Sequence, residues 1–580
     1  MERSVINFIY IGIIATITFL ICQSTYGVNQ RQRIVIVTNH PSTKVGNSIC
    51  ITARLTPYNL RATQLWPYVN GRQWGAPEET NRIGQANFIL PLPLSGWTTI
   101  RVSTSGPETT PFPVGHLPPR GANMSNNLTI YVHKRRFAPT HRKQHLIGIE
   151  YESWWRTWNL AEAIPLIGLY APNNKMVIRQ HALWFDQMGI NYILIDWSFM
   201  LNSCPHNWNP KAIGVSKMIT STNALCQTYA RMRQQGIPTP QITMLLGLNF
   251  HTMGTKALNQ EMHCLYKHYV LAPKLQGIWL YYRGKPLILI LNGAGPAALV
   301  GKPPISHREF TVRWMGAQLQ NCPLLVKSGY WSWMDGSVHP VPVFNNGNCE
   351  ALTITPAYFN TPSDWQRHGG WLGHKAMGRD NGVTYLREMV TALKYRPHFL
   401  NICQWNEFDS QTTGHSYSPG HHIYQDCYSP ELSNDIEPTS LMDRGYRGHG
   451  GWGFYYLNLT RAFIHLYHQK HPTSTILAIG SPHRRQVVKT SRITVRWACV
   501  GKAPMSFTLW LDGKVVARRI PPSQRAYAIN LRGVAPGRHT LTLRANGAVS
   551  RIEISYARES RWLAQPIPAV AHIAFILSGK

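Results

Sequence analysis

The sequence predicts a multidomain α/β plus β protein: a central (β/α)8 barrel of the TIM type flanked by N- and C-terminal immunoglobulin-like β-sandwiches. Three observations lead there. Residues 140–475 alternate nearly all-apolar strand runs with helical segments, as parallel strands buried on both faces require. Residues 31–135 and 483–558 carry short alternating strands separated by turn residues. A chain of 580 residues is also too long for one hydrophobic core.

Residues 1–27 read as a signal peptide. Arg3 precedes an apolar stretch from Val5 to Cys22, and Thr25 and Gly27 supply small residues near a cleavage point. The stretch is nearly long enough to span a bilayer, so an uncleaved N-terminal anchor is the alternative. Either places the protein outside the cytoplasm, secreted or associated with the envelope. In the first sandwich, alternation is clear at Ile34–Val37, Ser48–Thr52 and Thr98–Val102, and Asn70-Gly71 marks a hairpin. The clearest barrel strands are Leu146–Ile149, Tyr192–Ile195, Ile242–Leu246, Leu287–Leu291, Leu324–Val326, Leu352–Ile354 and Phe399–Ile402. Met176–Met188, Tyr385–Leu393 and Phe454–His468 have helical patterning. The second sandwich shows strands at Ile493–Trp497, Phe507–Leu511, Tyr527–Leu531, His539–Leu543 and Ile552–Tyr556, with a hairpin at Asp512-Gly513. Residues 559–580 form a tail.

Composition narrows the partners. There are 58 Lys+Arg against 26 Asp+Glu, a net charge of +32, which suits an acidic glycan or an anionic cell envelope. The basic residues are scattered in short runs such as Lys134–Arg136, with no nucleic-acid module around them, so no specific nucleic acid is expected. Ten Cys include no Cys-x-x-Cys pair, which argues against structural zinc. Cys403 reads as a buried small hydrophobe. His415, His421, His422 and Asp426 match no metal-binding spacing, and no Walker, Gly-x-Ser-x-Gly or His-Glu-x-x-His motif occurs. No metal and no cofactor are implied.

In such a barrel the active site forms at the C-terminal ends of the strands. Four expected strand ends carry a carboxylate beside aromatics: Glu150-Tyr151-Glu152-Ser153-Trp154-Trp155, Asp196-Trp197, Trp331-Ser332-Trp333-Met334-Asp335 and Gln404-Trp405-Asn406-Glu407-Phe408-Asp409. Sugars pack their C–H faces on aromatic rings and bond their hydroxyls to carboxylates and amides. Glycosidic cleavage generally uses two carboxyl groups, one of them protonating the leaving oxygen. Glu407 is thus the leading catalytic candidate, with Glu152, Asp196 and Asp335 as candidate partners. Tyr151, Trp154, Trp155, Trp197, Trp331, Trp333, Asn406 and Asp409 are candidate substrate contacts. Any single Trp among them is more often core, and Asn406 has pinning of the strand end as its plain alternative role.

These motifs, with Val177-Ile178-Arg179-Gln180-His181, Gly189–Trp197, Trp405-Asn406-Glu407-Phe408 and the later Asp435-Ile436-Glu437-Pro438, together resemble the endo-α-mannosidase family, glycoside hydrolase family 99, and its barrel relatives. The resemblance covers the barrel. It implies a retaining mechanism in which one glutamate acts as base on the sugar's own 2-hydroxyl and a second acts as acid on the leaving oxygen, both within one Asn-Glu-aromatic-x-Glu segment. The first maps onto Glu407. The second maps onto Ser410, which cannot replace it. Asp409, a carboxylate from another strand end, or Glu437 then supplies the acid, or the chain is a non-catalytic glycan-binding or envelope structural protein on a degenerate hydrolase barrel. Glu437 is also a candidate substrate contact, with capping of a local turn before Pro438 as its alternative.

Overall fold

The computed structural model describes residues 32–57, 62–107, 110, 112–137, 144–153, 158, 163–198, 215–247, 255–291, 307–316, 323–335, 337–358, 377–408, 431–440, 451–483 and 486–557. Trp154, Trp155, Asp409, Ser410 and the His415–Asp426 group lie outside them.

Eight parallel strands form the central sheet among the described residues: β1 (Leu146–Tyr151), β2 (Tyr192–Trp197), β3 (Gln241–Gly247), β4 (Lys285–Leu291), β5 (Thr311–Gly316), β6 (Trp331–Ser332), β7 (Asn348–Ile354) and β8 (Phe399–Ile402). The order β6-β5-β4-β3-β2-β1-β8-β7 returns β8 beside β1. The Thr353 hydroxyl on β7 donates to the Ser332 carbonyl on β6, joining the two sheet edges. The result is a nearly closed sheet that fits a barrel. Its outside carries α1 (Lys175–Met188), α2 (Val215–Gln234), α3 (Thr255–Leu265), α4 (Pro323–Lys327), α5 (Val383–Tyr395) and α6 (Tyr455–Tyr467).

The local chemistry of α1 is legible residue by residue. Asn174 caps its start by accepting from the Met176 and Val177 amides at 3.0 and 3.4 Å. Gly189, at φ 91°, ends it in the left-handed region and returns its amide to Phe185 and Asp186. Val177, Ile178, His181, Trp184, Phe185 and Met188 recur at helical spacing and are buried. Inside the sheet, Gly148 is required: a β-carbon there would meet the Tyr192 ring at 2.0–2.5 Å.

Two expected elements need correction. Leu324–Val326 is part of α4, a helix, because three apolar residues carry no usable period. The fifth strand is Thr311–Gly316, which reading for apolar runs missed because Arg313 interrupts it. That guanidinium is spent on Glu350 of β7 at 2.8 and 3.0 Å. Trp331 consequently begins a strand of its own.

Residues 33–133 form a three-stranded antiparallel sheet and a second, mixed sheet of six strands that includes Ser42–Lys44, Gly96–Ser103 and Leu128–His133. Asn70 and Gly71 have φ 49° and 78°, the double left-handed turn that an Asn-Gly hairpin favours. Residues 475–556 form a three-stranded and a five-stranded sheet around one apolar core, including Val495, Trp497, Phe507, Leu509, Leu541 and Ile554. Their first strand, Thr475–Ser481, reaches back into the stretch the sequence assigned to the barrel end and linker. The N-terminal sheets share a continuous apolar core with the central sheet.

Candidate active site at the strand ends

Alternation along β1 sends successive side chains to opposite faces. Tyr151 points outward, its hydroxyl 3.1 Å from His181 Nδ1 on α1. Glu150 points the other way, and both of its oxygens accept from Trp333 Nε1 at 2.7 Å. Glu152 follows on the inner face. From the segment that follows the adjoining β8 come Cys403 and Glu407. The buried Cys403 thiol is pushed well above its ordinary value, first by burial and then by Glu150, Glu407 and Glu152. Three carboxyl groups at the ends of two neighbouring strands are thus all buried (Glu150 1%, Glu152 2%, Glu407 6% exposed).

Each of these groups is held. Gln404 Nε2 donates to Glu407 Oε2 at 2.6 Å, and the Glu407 amide donates to Asp435 Oδ1. Asp435 also accepts from Ser433 Oγ at 3.0 Å, while Arg379 donates to Ser433 Oγ and to the Asp435 carbonyl. The Arg379 guanidinium lies over the rings of Trp452 and Tyr456 at 4.1 and 4.4 Å. Asn406 clamps β8 to β1: its Oδ1 accepts from the Glu152 amide at 2.9 Å, and its Nδ2 donates to the Glu152 carbonyl and to Tyr170 Oη, both at 3.2 Å. Asn406 therefore pins the strand end and positions Glu152; its amide is turned to the backbone instead of a sugar.

The structure relocates several expected substrate contacts. Glu437 is fully enclosed on the outer side of β1 and β8. Its Oε2 accepts from Tyr170 Oη at 2.6 Å and its Oε1 lies 3.1 Å from His181 Nε2. It is a buried tie between α1 and the strand ends, and Tyr151 joins the same network through His181. Trp197 is also turned outward and has no exposed surface; its Nε1 donates to Thr222 Oγ1 on α2 at 3.0 Å. Trp331 is buried and donates to Glu350 Oε2 at 3.0 Å. Of the described tryptophans proposed to meet sugar, Trp333 alone bonds a carboxylate of the cluster.

Asp196 and Asp335 are buried at their strand ends. Asp196 Oδ1 accepts from the Ser198 amide at 2.7 Å, and Asp335 Oδ2 from the Val341 amide at 3.0 Å. Asp335 also bears on Glu388 of α5, whose carboxyl is raised well above the carboxylate range chiefly by burial, with the Thr355 amide opposing and Asp335 adding to it. Sequence reasoning did not select Glu150, Gln404, Asp435 or Arg379. Glu150 had a signal: it lies at even spacing from Glu152 and so shares its face of the strand. Gln404, Asp435 and Arg379 had none, since their partners are set by the fold.

No family profile and no curated protein sequence matches the chain. Among solved structures, the chain is similar to the GH99 endo-α-mannosidase from Bacteroides thetaiotaomicron, with 14% identity, 56% of this chain and 98% of that one covered, and a TM-score of 0.38. It is similar to the endo-β-1,4-mannanase from Thermotoga petrophila at 9% identity over 72% and 99% of the two chains, with a TM-score of 0.34. A modular endo-β-1,4-mannanase from Cellulomonas fimi matches at 11% identity over 71% and 94%, with a TM-score of 0.25.

Proposed function

We propose that the protein is a glycoside hydrolase-like enzyme acting on a poly- or oligosaccharide, with Glu407 as its key carboxylate. The observation that carries the reading is the burial of Glu407, Glu150 and Glu152 at two adjoining strand ends that Asn406 clamps together. A protein gains nothing in stability by packing three carboxyl groups together in a buried place, because each raises the cost of ionising the others. Paired carboxyl groups are what glycosidic cleavage needs: one to protonate the leaving oxygen and one to act as base or nucleophile. Glu407 takes the base role that its resemblance to the family 99 motif implies. The acid that Ser410 cannot supply is assigned to β1, as Glu152 or Glu150. Asp196 and Asp335 remain outer members of the same mouth.

The architecture that goes with this reading is a full (β/α)8 barrel over residues 140–475, between immunoglobulin-like sandwiches at 31–135 and 483–558. Residues 1–27 act as an export signal and 559–580 as a tail, with the glycan met outside the cell or at its envelope. The withdrawal of Trp197, Trp331 and Glu437 into the interior favours a second reading, a barrel that binds glycan without cutting it. The deciding experiment is glycan release from α-mannans, β-mannans and acidic polysaccharides by the wild type, Glu407→Gln and Glu152→Gln. Release by the wild type that falls at least about a hundredfold in Glu407→Gln supports the enzyme. Glycan binding without release by any of the three establishes the binding scaffold instead.

A further inference from the structure

The outer face of the N-terminal six-stranded sheet carries an aromatic group that the described residues leave exposed. Trp97 is 73% exposed and Tyr131 38% exposed. They are direct cross-strand partners on Gly96–Ser103 and Leu128–His133. Their rings meet edge to face with centroids 5.1 Å apart, and Tyr131 meets the exposed His133 in the same way at 4.9 Å. Ser42 on the neighbouring strand is paired with Tyr131 and Lys44 with His133. Ser42, Tyr131 and Trp97 therefore form one row across three strands, roughly 10 Å long at the usual strand spacing. Thr99 and Thr129 are paired in the next row.

A tryptophan this open on a paired strand gives up the burial that is the usual return on so large a side chain. We infer that this face is a second glycan-binding site, separate from the strand-end carboxylates, and that its ligand is an acidic polysaccharide. The rings supply stacking surface for the C–H face of a sugar, and Ser42, Thr99 and Thr129 supply hydroxyl partners. The charge selects the ligand. The strands Ser42–Lys44, Gly96–Ser103 and Leu128–His133 contain no Asp or Glu but do contain Lys44, Arg101 and His133, and Lys134 follows directly. A uronate chain meets both demands, sugar faces for the rings and carboxylates for the cations. Hydroxyls around the rings, in place of exposed aliphatic side chains, fit a sugar better than a lipid.

The test is affinity electrophoresis of the full chain in gels containing polygalacturonate, alginate or neutral mannan, beside co-sedimentation with anionic phosphatidylserine vesicles. The wild type is expected to be retarded by the acidic polymers more than by mannan, with the retardation falling as salt is added. Trp97→Ala weakens it about tenfold or more, and Tyr131→Ser repeats the effect at a second exposed position; Lys44→Gln flattens the salt dependence. Trp97→Ala has the same effect in a Glu407→Gln background as in the wild type, which separates this site from the barrel. Equal retardation of Trp97→Ala and wild type overturns the inference. So does no retardation by either acidic polymer, equal retardation by mannan, or capture by vesicles in place of polysaccharide.

Discussion

Glu437 offers a clean contrast between a site residue and a structural tie. Its carboxyl has no exposed surface, and its two oxygens serve Tyr170 Oη and His181 Nε2. Glu437→Ala strips both partners at once. A buried polar group left unsatisfied costs about 1–3 kcal/mol, so two give about 3–5 kcal/mol, the range found when one member of a buried pair is removed. In a domain of this size that lowers the thermal midpoint on the order of 10 °C. Glu437→Gln keeps an acceptor for Tyr170 and offers an N–H to the imidazole, so its expected loss is about 1–2 kcal/mol. The assay is thermal unfolding followed by near-UV circular dichroism, with glycan binding measured well below the transition. The reasoning is refuted if Glu437→Ala keeps the wild-type midpoint and loses glycan binding, for then the carboxylate faces substrate.

Three further outcomes are expected. Glu261 on α3 is fully buried, neither oxygen has a hydrogen-bond partner among the described residues, and burial pushes its carboxyl up to about 8. The folded state therefore holds a proton that the unfolded state loses, and stability falls as pH rises from about 4.5 to about 8. Glu261→Met should be more stable than wild type by up to about 3 kcal/mol at pH 7, with the gain vanishing in denaturant titrations below about pH 4.5; equal stability at pH 7 would show that the site is not dry. Glu350 is the opposite case: burial alone would raise it, but hydrogen bonds from Arg313, Tyr282 and Trp331 hold it down to about 2. Its roughly 3 kcal/mol is present above about pH 4.5 and lost as pH falls toward 2, so the stability gap between wild type and Glu350→Gln should close over that window, and a constant gap would contradict it. Trp333→Phe removes the donor to Glu150, a charge-assisted bond of about 1.5–3 kcal/mol, and should cut glycan release about 10- to 100-fold and lower the unfolding midpoint by several degrees.

The parts of this fold written in local chemistry were readable in the sequence. Asn70-Gly71 and Asp512-Gly513 adopt the positive φ values their residue types favour, and the helices at Lys175–Met188 and Val383–Tyr395 follow their apolar spacing within about two residues. The buried state of Cys403 was legible too. Reading failed where a strand's composition is set by a distant partner. Thr311–Gly316 carries Arg313 because Glu350 waits across the barrel, and no window of neighbours contains that fact. Side-chain direction was the other limit. Trp197 and Glu437 sit beside functional-looking carboxylates in the chain, yet strand alternation turns Trp197 toward Thr222 of α2, and Glu437 pairs with His181 of α1. A motif records which residues are adjacent, not which of them share a face.

That distinction also bears on the missing second glutamate. In the resembling motif, base and acid lie three residues apart on one segment; here the third position is Ser410. If the segment alone were the catalytic unit, the replacement would end the chemistry. The structure shows β8 laced to β1 instead: Asn406 grips both backbone groups of Glu152, and the Trp405 amide donates to the Glu150 carbonyl. A clamp of this kind fixes the carboxylates of one strand relative to those of the other, and fixed relative position is what a pair of acid and base groups requires. The outer network of Tyr151, His181, Glu437 and Tyr170 ends on the same Asn406, so α1 braces the clamp from behind. On the proposed reading those four residues serve the strand-end carboxylates by bracing the clamp, which accounts for the expense of so many buried polar groups behind one strand end.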